Sequence, residues 1–241
     1  MYRLLCFLAV LIASTGLAQD ADKGTLDATA QEIQSKILDD DKVRIENLKV
    51  LHKDGHVYLE GIADLFGSRY RAEKYATETK GVQTIDNQIA VKAAEVTDLD
   101  IQSHLMDRVM RHLRSEPFDL LSVKVSHGFV TLSGSVRDVT LIKKTFEEAI
   151  WTRGVRDVDN RIRAASVGAG DERLRRAIFQ RLNREFPQYF LGRFPSFVIL
   201  VDSGRVTLVG SVNSQGDKYK IASIIRSMIG VLSVDNLLEA K

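Results

Sequence analysis

The sequence predicts an α+β protein: three tandem two-layer α-β-β-α-β domains, each a small three-stranded sheet with two helices on one face. Three observations predict it. A glycine-framed apolar alternation, Gly55-His-Val57-Tyr-Leu59-Glu-Gly61, recurs as Gly128-Phe-Val130-Thr-Leu132-Ser-Gly134 and as Gly204-Arg-Val206-Thr-Leu208-Val-Gly210. A second pattern follows each copy: Gly81-Val82…Ile85-Asp86-Asn87, Gly154-Val155…Val158-Asp159-Asn160 and Gly230-Val231…Val234-Asp235-Asn236. The two patterns are offset by 26 residues in every copy. Constant spacing of this kind marks an array of one supersecondary unit.

The chain begins with a short basic start, Met1-Tyr2-Arg3, and an apolar run from Leu4 to Ala13. Gly16-Leu17-Ala18 before Gln19 supplies small residues at a cleavage site, so residues 1–18 are expected to be a secretory signal peptide. The apolar run is short for a membrane span. Cys6, the only cysteine, lies inside that segment, which leaves no disulfide or thiolate chemistry downstream of it. The expected domains are residues 25–92, 98–164 and 170–241, joined by linkers at Lys92–Thr97 and Ala164–Gly170. The second linker contains Val167-Gly168-Ala169-Gly170 and is expected to be the more flexible one.

Each domain opens with an amphipathic helix. Its apolar stripe is Leu26, Ala30, Ile33 and Ile37 in the first unit and Ile101, Leu105, Val109 and Leu113 in the second. In the third it is Leu174, Ile178, Leu182 and Phe186. Spacings of three and four place such residues on one face. A hairpin follows, turning at Lys53-Asp54-Gly55, Ser126-His127-Gly128 and Asp202-Ser203-Gly204, where a tight turn requires positive φ. In the next strand Val and Leu alternate onto one face. Its closing glycines, Gly61, Gly134 and Gly210, predict a close approach or a bulge.

A second helix is expected over Ser68–Lys80, Leu141–Arg153 and Asp217–Ile229, ended by Gly81, Gly154 and Gly230. The third strand carries Asn87, Asn160 and Asn236 on the same face as its apolar residues. These amides are expected to satisfy loop backbone near the end of the second strand rather than to bind a ligand. Lys49 and Glu60 in unit one, and Ser122, Lys124, Thr131 and Ser133 in unit two, make the opposite sheet face polar.

These motifs resemble the BON (bacterial OsmY and nodulation) family, whose hallmarks are the Gly-x-Val-x-Leu-x-Gly strand and the later Gly-Val-x-x-Val-x-Asn. The resemblance spans about residues 25–241 and is closest in unit two. Unit one departs at His52, which takes an apolar position, and unit three inserts an aromatic-rich loop over residues 186–195. The resemblance implies an envelope protein, often periplasmic, connected with osmotic stress, envelope integrity and contact with phospholipid or other envelope components. It implies no catalytic set and no cofactor, and its motif residues are structural.

The residues themselves offer little chemistry. No nucleophile elbow, phosphate-binding loop or zinc-protease pattern is present. His52, Asp54 and His56 cluster at one hairpin, but no third or fourth ligand is evident for a metal. Near-balanced charge argues against nucleic acid as a partner. The balance shifts along the chain: net −4 over residues 19–96, +1 over 97–166 and +4 over 167–241.

Unit three therefore supplies the candidate contact surface. Arg173 and Arg176 on its first helix, with Tyr189, Phe190, Arg193 and Phe194 in the loop beyond, combine cations with aromatics as a membrane interface does. Val198, Leu200 and Val209 replace polar residues of unit two on the outer sheet face. The aromatics can equally pack back onto the unit's own core, and Phe197 is expected inward. Trp151 is either an exposed anchor or a packing residue. The expected partners are an anionic membrane surface or an envelope protein, with self-association as a homo-oligomer a further expectation. Expected roles are an envelope-binding protein or a chaperone-like adaptor working through that sheet face.

Overall fold

A computed structural model of the protein describes residues 27–113 and 116–241. The expected signal peptide and Leu26 lie outside the described residues. Unit one comprises α1 (Ala28–Leu38), β1 (Ile45–Lys53), β2 (His56–Ala63), α2 (Phe66–Thr77) and β3 (Thr84–Val91). Unit two comprises α3 (Asp98–Met110), β4 (Leu120–Ser126), β5 (Phe129–Val136), α4 (Thr140–Ile150) and β6 (Asp157–Ala164). Unit three comprises α5 (Ala169–Glu185), a 3₁₀ turn (Pro187–Tyr189), β7 (Phe197–Asp202), β8 (Arg205–Val212), α6 (Gln215–Arg226) and β9 (Ser233–Ala240). The chain is α+β in three repeated units, each a three-stranded sheet with its helices alongside.

In every sheet the second strand is central, antiparallel to the first and parallel to the third. The hairpin turns hold two residues with positive φ, as in Asp54 (51°) and Gly55 (80°), the geometry that matches strand twist. Gly134 has φ 140°, and a Cβ there would lie 2.0 Å from the carbonyl oxygen of Leu120. The close approach is thus real, and it occurs where the start of the first strand pairs with the second, Leu121 opposite Gly134. The polar outer face holds register as expected: Lys49 opposes Glu60 and bonds it at 3.1 Å, and Ser122 opposes Ser133.

Each unit has its own core. In unit one Ala30, Ile33 and Ile37 of α1 meet Val57, Leu59 and Ile89; units two and three repeat the arrangement. The second helices end three residues before the expected Lys80, Arg153 and Ile229. Tighter bonds that span three residues close them instead: Thr79 N–H to Ala76, Thr152 N–H to Ala149 and Met228 N–H to Ile225. Asn87, Asn160 and Asn236 also differ from expectation. Their Oδ1 accepts from the N–H two residues on, while Asn87 and Asn236 donate to the carbonyls of Arg69 and Lys218 in the second helices. Asn87 and Asn236 thus tie strand to helix rather than closing a loop, while Asn160 is exposed and its Oδ1 bond stays within β6.

The units dock by two different devices. Units one and two meet through α2 and α4. Phe66 joins the core of unit two, Tyr70 packs edge-on to Phe146 at 5.0 Å, and the indole of Trp151 lies against Gly67. Trp151 is therefore a packing residue, half-buried, with its Nε1–H donated to Glu147 at 3.1 Å. Units two and three meet through the segment before β4. Phe118 belongs to the core of unit three, and Ile199 N–H on the edge of β7 donates to Pro117 O at 2.6 Å. Covering that edge removes a free strand surface. The expected linker at Ala164–Gly170 is shortened, because α5 takes Ala169 and Gly170.

Candidate functional site

The hairpin end of unit three is fastened by one carboxylate. Asp171, in the first turn of α5, accepts from Ser203 N–H (2.8 Å), Gly204 N–H (3.1 Å) and the Ser166 hydroxyl (2.7 Å). The Ser166 hydrogen bond is the main cause holding its carboxyl below the ordinary carboxylate value, and the two amides add to it. Asp98 does the same in unit two, accepting from Gly128 and His127 N–H, which likewise lower it. This device escaped sequence reading, since the carboxylate and its turn stand about thirty residues apart and no local periodicity joins them.

Above this hinge of helix and turn, α5 buries Leu174, Ile178 and Leu182 and leaves Arg173 and Arg176 exposed. The two are three apart and so neighbour each other on the helix surface. Arg176 pairs with Glu172 at 3.0 Å; Arg173 has no ion-pair partner among the described residues. Beside Arg173 a groove of about 570 Å³ runs between α5 and the turn after α6. Its far wall is Ile229, 100 % exposed, and Leu232, 78 % exposed.

These two residues were missed in the sequence, yet their signal is there. The positions flanking the repeated Gly-Val hold Lys80 and Gln83 in unit one and Arg153 and Arg156 in unit two. Only unit three places apolar side chains there. Because the flanked Gly-Val is invariant across the units, attention falls on the motif rather than on its neighbours.

The aromatic loop divides. Tyr189 is 2 % exposed, which removes it from the expected contact surface. Its hydroxyl donates to Asp217 at 2.6 Å and accepts from Asn213 N–H at 2.9 Å, so it anchors the start of α6. Phe190 is also turned inward. It continues an edge-on chain of rings from Phe118 through Phe179 (5.7 Å) to Phe190 (5.2 Å) and Phe197 (5.1 Å). Of the rings that resembled a membrane anchor, Phe190 joins the chain that runs from Phe118 of unit two into unit three. Arg193 stays exposed, stacked over a half-buried Phe194 at 5.2 Å, and Leu191 beside them is 73 % exposed.

On the outer sheet face Val198 opposes Val209, and Val209 opposes Leu237 of β9. They form one apolar row across three strands, half-buried at the first two and exposed at Leu237. Leu200 does not extend it freely, because it lines a cleft facing unit two. At the unit-one hairpin, His52 pairs with Asp27 and His56 with Thr84. Among the described residues no three His, Cys, Asp or Glu side chains converge as metal ligands, and no helix is long and apolar enough to cross a membrane.

No curated protein matches the chain. Solved structures similar to the chain include the C-terminal domain of CdsD, a structural protein of the type III secretion system of Chlamydia trachomatis, and a second structure of CdsD. The first is 12 % identical, with 90 % of this chain and 100 % of that chain covered and a TM-score of 0.25. The second is 13 % identical, with 88 % and 92 % covered and a TM-score of 0.24. The family model of the BON domain matches three times, at residues 25–93, 97–166 and 170–241. BON domains are associated with envelope and osmotic-stress proteins, and phospholipid binding is attributed to them. Three successive matches, each over one structural unit that carries both repeated motifs, establish that this chain belongs to the BON domain family.

Proposed function

We propose that the protein is a non-enzymatic, periplasmic envelope-binding protein that contacts anionic phospholipid or another envelope component through unit three. In this reading it supports envelope integrity or osmotic-stress tolerance. One observation carries it: Ile229 and Leu232 stand exposed beside Arg173, which has no ion-pair partner among the described residues, and both sibling units hold polar side chains at the two apolar positions. An apolar side chain entering the acyl boundary contributes about 0.8 kcal/mol per buried CH₂. A cation near an anionic surface contributes about 1 kcal/mol. A pair of apolar residues with one or two arginines therefore gives a weak, reversible contact, which suits a peripheral protein.

The test is flotation of the chain from Gln19 with vesicles of phosphatidylglycerol and phosphatidylcholine, or of phosphatidylcholine alone, at low and high salt. Binding to the anionic vesicles alone, weakened by salt and lost in Ile229→Ser/Leu232→Ser, is the expected result. Failure of the wild-type chain to float would overturn the reading.

A second reading, a protein-interaction or chaperone-like adaptor, is favoured by the Val198–Val209–Leu237 row. An apolar protein contact there would be insensitive to ionic strength, which separates the two readings.

A further inference from the structure

We propose that the cleft between units two and three binds a phosphate-bearing anion. The cleft encloses about 330 Å³. It is walled on one side by the adjoining ends of β5 and β6 and the linker after them, and on the other by the outer face of β7 and β8. Three arginines line it, Arg163 of β6, Arg175 of α5 and Arg205 of β8, against Asp202 in the same lining and Glu172, which pairs with Arg175 at 3.0 Å. Arg163 and Arg205 have no ion-pair partner among the described residues and are exposed. Leaving two guanidinium groups unpaired beside a third concentrates positive potential in a confined space.

Arg175 carries the argument further. It is 1 % exposed, one of the most buried large side chains of the chain. Its Nη1 donates to Glu172 at 3.0 Å, and its Nη2 donates to Val201 O at 2.7 Å and to Ser166 O. Its Nε, shut off from solvent, has no partner among the described residues. The bonds of Nη1 and Nη2 fix the guanidinium at the wall of the cleft, beside the two exposed arginines. Guanidinium groups match the oxygens of a phosphate in two parallel bonds, and the hydroxyls of Ser135, Ser166 and Thr207 stand in the same wall.

None of the three arginines is needed by the repeat. The position of Arg163 is Ala90 in unit one and Glu239 in unit three. That of Arg205 is His56 and Phe129 in the siblings. Four residues beyond Asp171 stands Arg175; four beyond its counterpart Asp98 stands Gln102. Each cation is thus replaced by another residue at the sibling positions compared, and the three converge at this junction. The site is separate from the Ile229 and Leu232 contact and does not rest on it.

The phosphate can be that of a free anion or of a lipid headgroup, and the experiment distinguishes them. The chain from Gln19 is titrated by calorimetry with inorganic phosphate and with glycerol 1-phosphate, against chloride at matched ionic strength. The same chain is floated with phosphatidylglycerol vesicles. Arg163→Ala/Arg205→Ala is the test variant, since both side chains are exposed and the fold does not use them. Ile229→Ser/Leu232→Ser is the control for the lipid contact. Saturable binding of either soluble anion, weakened about tenfold or more in the arginine variant and unchanged in the control, supports a free-anion site. Flotation that falls in the arginine variant, without soluble-anion binding, supports a headgroup site. No saturable binding of the soluble anions together with flotation unaffected by the arginine variant would overturn the proposal. So would binding matched by chloride.

Discussion

Units two and three share a skeleton and differ at the skin. Both fasten an aspartate of the first helix to the hairpin N–H groups, Asp98 in one and Asp171 in the other. Both carry Gly-Val in the turn after the second helix, and in both an asparagine of the third strand accepts from the N–H two residues on. At three places their surfaces part. Arg153 and Arg156 become Ile229 and Leu232; Ser122 and Ser133 become Val198 and Val209; the short segment before β4 becomes an aromatic loop. Conserving the inner residues while the outer ones diverge is what a repeat does when one copy retains the scaffold role and another takes a contact. The difference also separates two uses of apolar surface. Phe190 and Tyr189 are spent inside, on docking and capping, whereas the side chains of Ile229 and Leu232 stand exposed.

The strongest way to break the comparison is to strike the shared skeleton. Gly134→Val places a Cβ 2.0 Å from the Leu120 carbonyl oxygen and a branched side chain at positive φ. Unit two is expected to fail to fold, seen as loss of its cooperative transition in thermal unfolding, while Gly81→Ala, with nothing within 4 Å but φ at 94°, carries backbone strain alone, about 1–3 kcal/mol. Phe118→Ala is next. Its ring is buried in the core of unit three, packs on Phe179 and sits under the Arg137 guanidinium at 4.7 Å. Truncation is expected to cost about 3–5 kcal/mol. Urea unfolding with a probe in each unit should show that loss in unit three although the residue belongs to the sequence of unit two. A loss confined to unit two would dissolve the shared core.

Much of this architecture was legible because it is written three times. Turn glycines, the alternation Val57-x-Leu59 and the stripe of Ile178 and Leu182 each follow a local period, and repetition removes chance matches. What stayed hidden is non-local. Nothing near Tyr189 announces that its hydroxyl will meet Asn213 and Asp217, more than twenty residues on, so a ring that packs and a ring that projects look alike in sequence. The same holds for Arg175. It reads as one more cation among five on α5, and only the fold shows that it is swallowed between Val201, Ser166 and Glu172. Ile229 and Leu232 are the opposite case. Aligning the units displays them, but their exposure is a property of the turn after α6.

A reciprocal exchange sharpens the surface comparison. Ile229→Arg/Leu232→Arg gives unit three the side chains of unit two, and Arg153→Ile/Arg156→Leu does the reverse. Both pairs are solvent-facing, so stability is expected to move by less than about 0.5 kcal/mol per site. The first exchange is expected to lower vesicle affinity about tenfold or more, and the second to raise it when added to the first. Equal flotation by all three chains would show that the turn after α6 does not contact lipid.

The smallest effect expected concerns the carboxylates that fasten each first helix to its hairpin. The Asp171 carboxyl is lowered first by the Ser166 hydroxyl and then by the Ser203 and Gly204 amides; Asp98 is lowered by the Gly128 and His127 amides. A folded-state value below the unfolded one means the unfolded chain binds more protons in the interval between them, so stability rises with pH there. The contribution is complete above the ordinary value of 3.8 and is lost as pH falls through the lowered folded value. Above about pH 5 these groups therefore contribute no slope. Asp171→Asn keeps one acceptor oxygen but cannot titrate. In urea unfolding between pH 2 and 6 this variant is expected to be less stable at pH 6 and to lose less on acidification than the wild-type chain. The two curves should converge at the acid end. Parallel curves would mean that Asp171 supports the hairpin by shape alone, and that its charge plays no part in joining helix to turn.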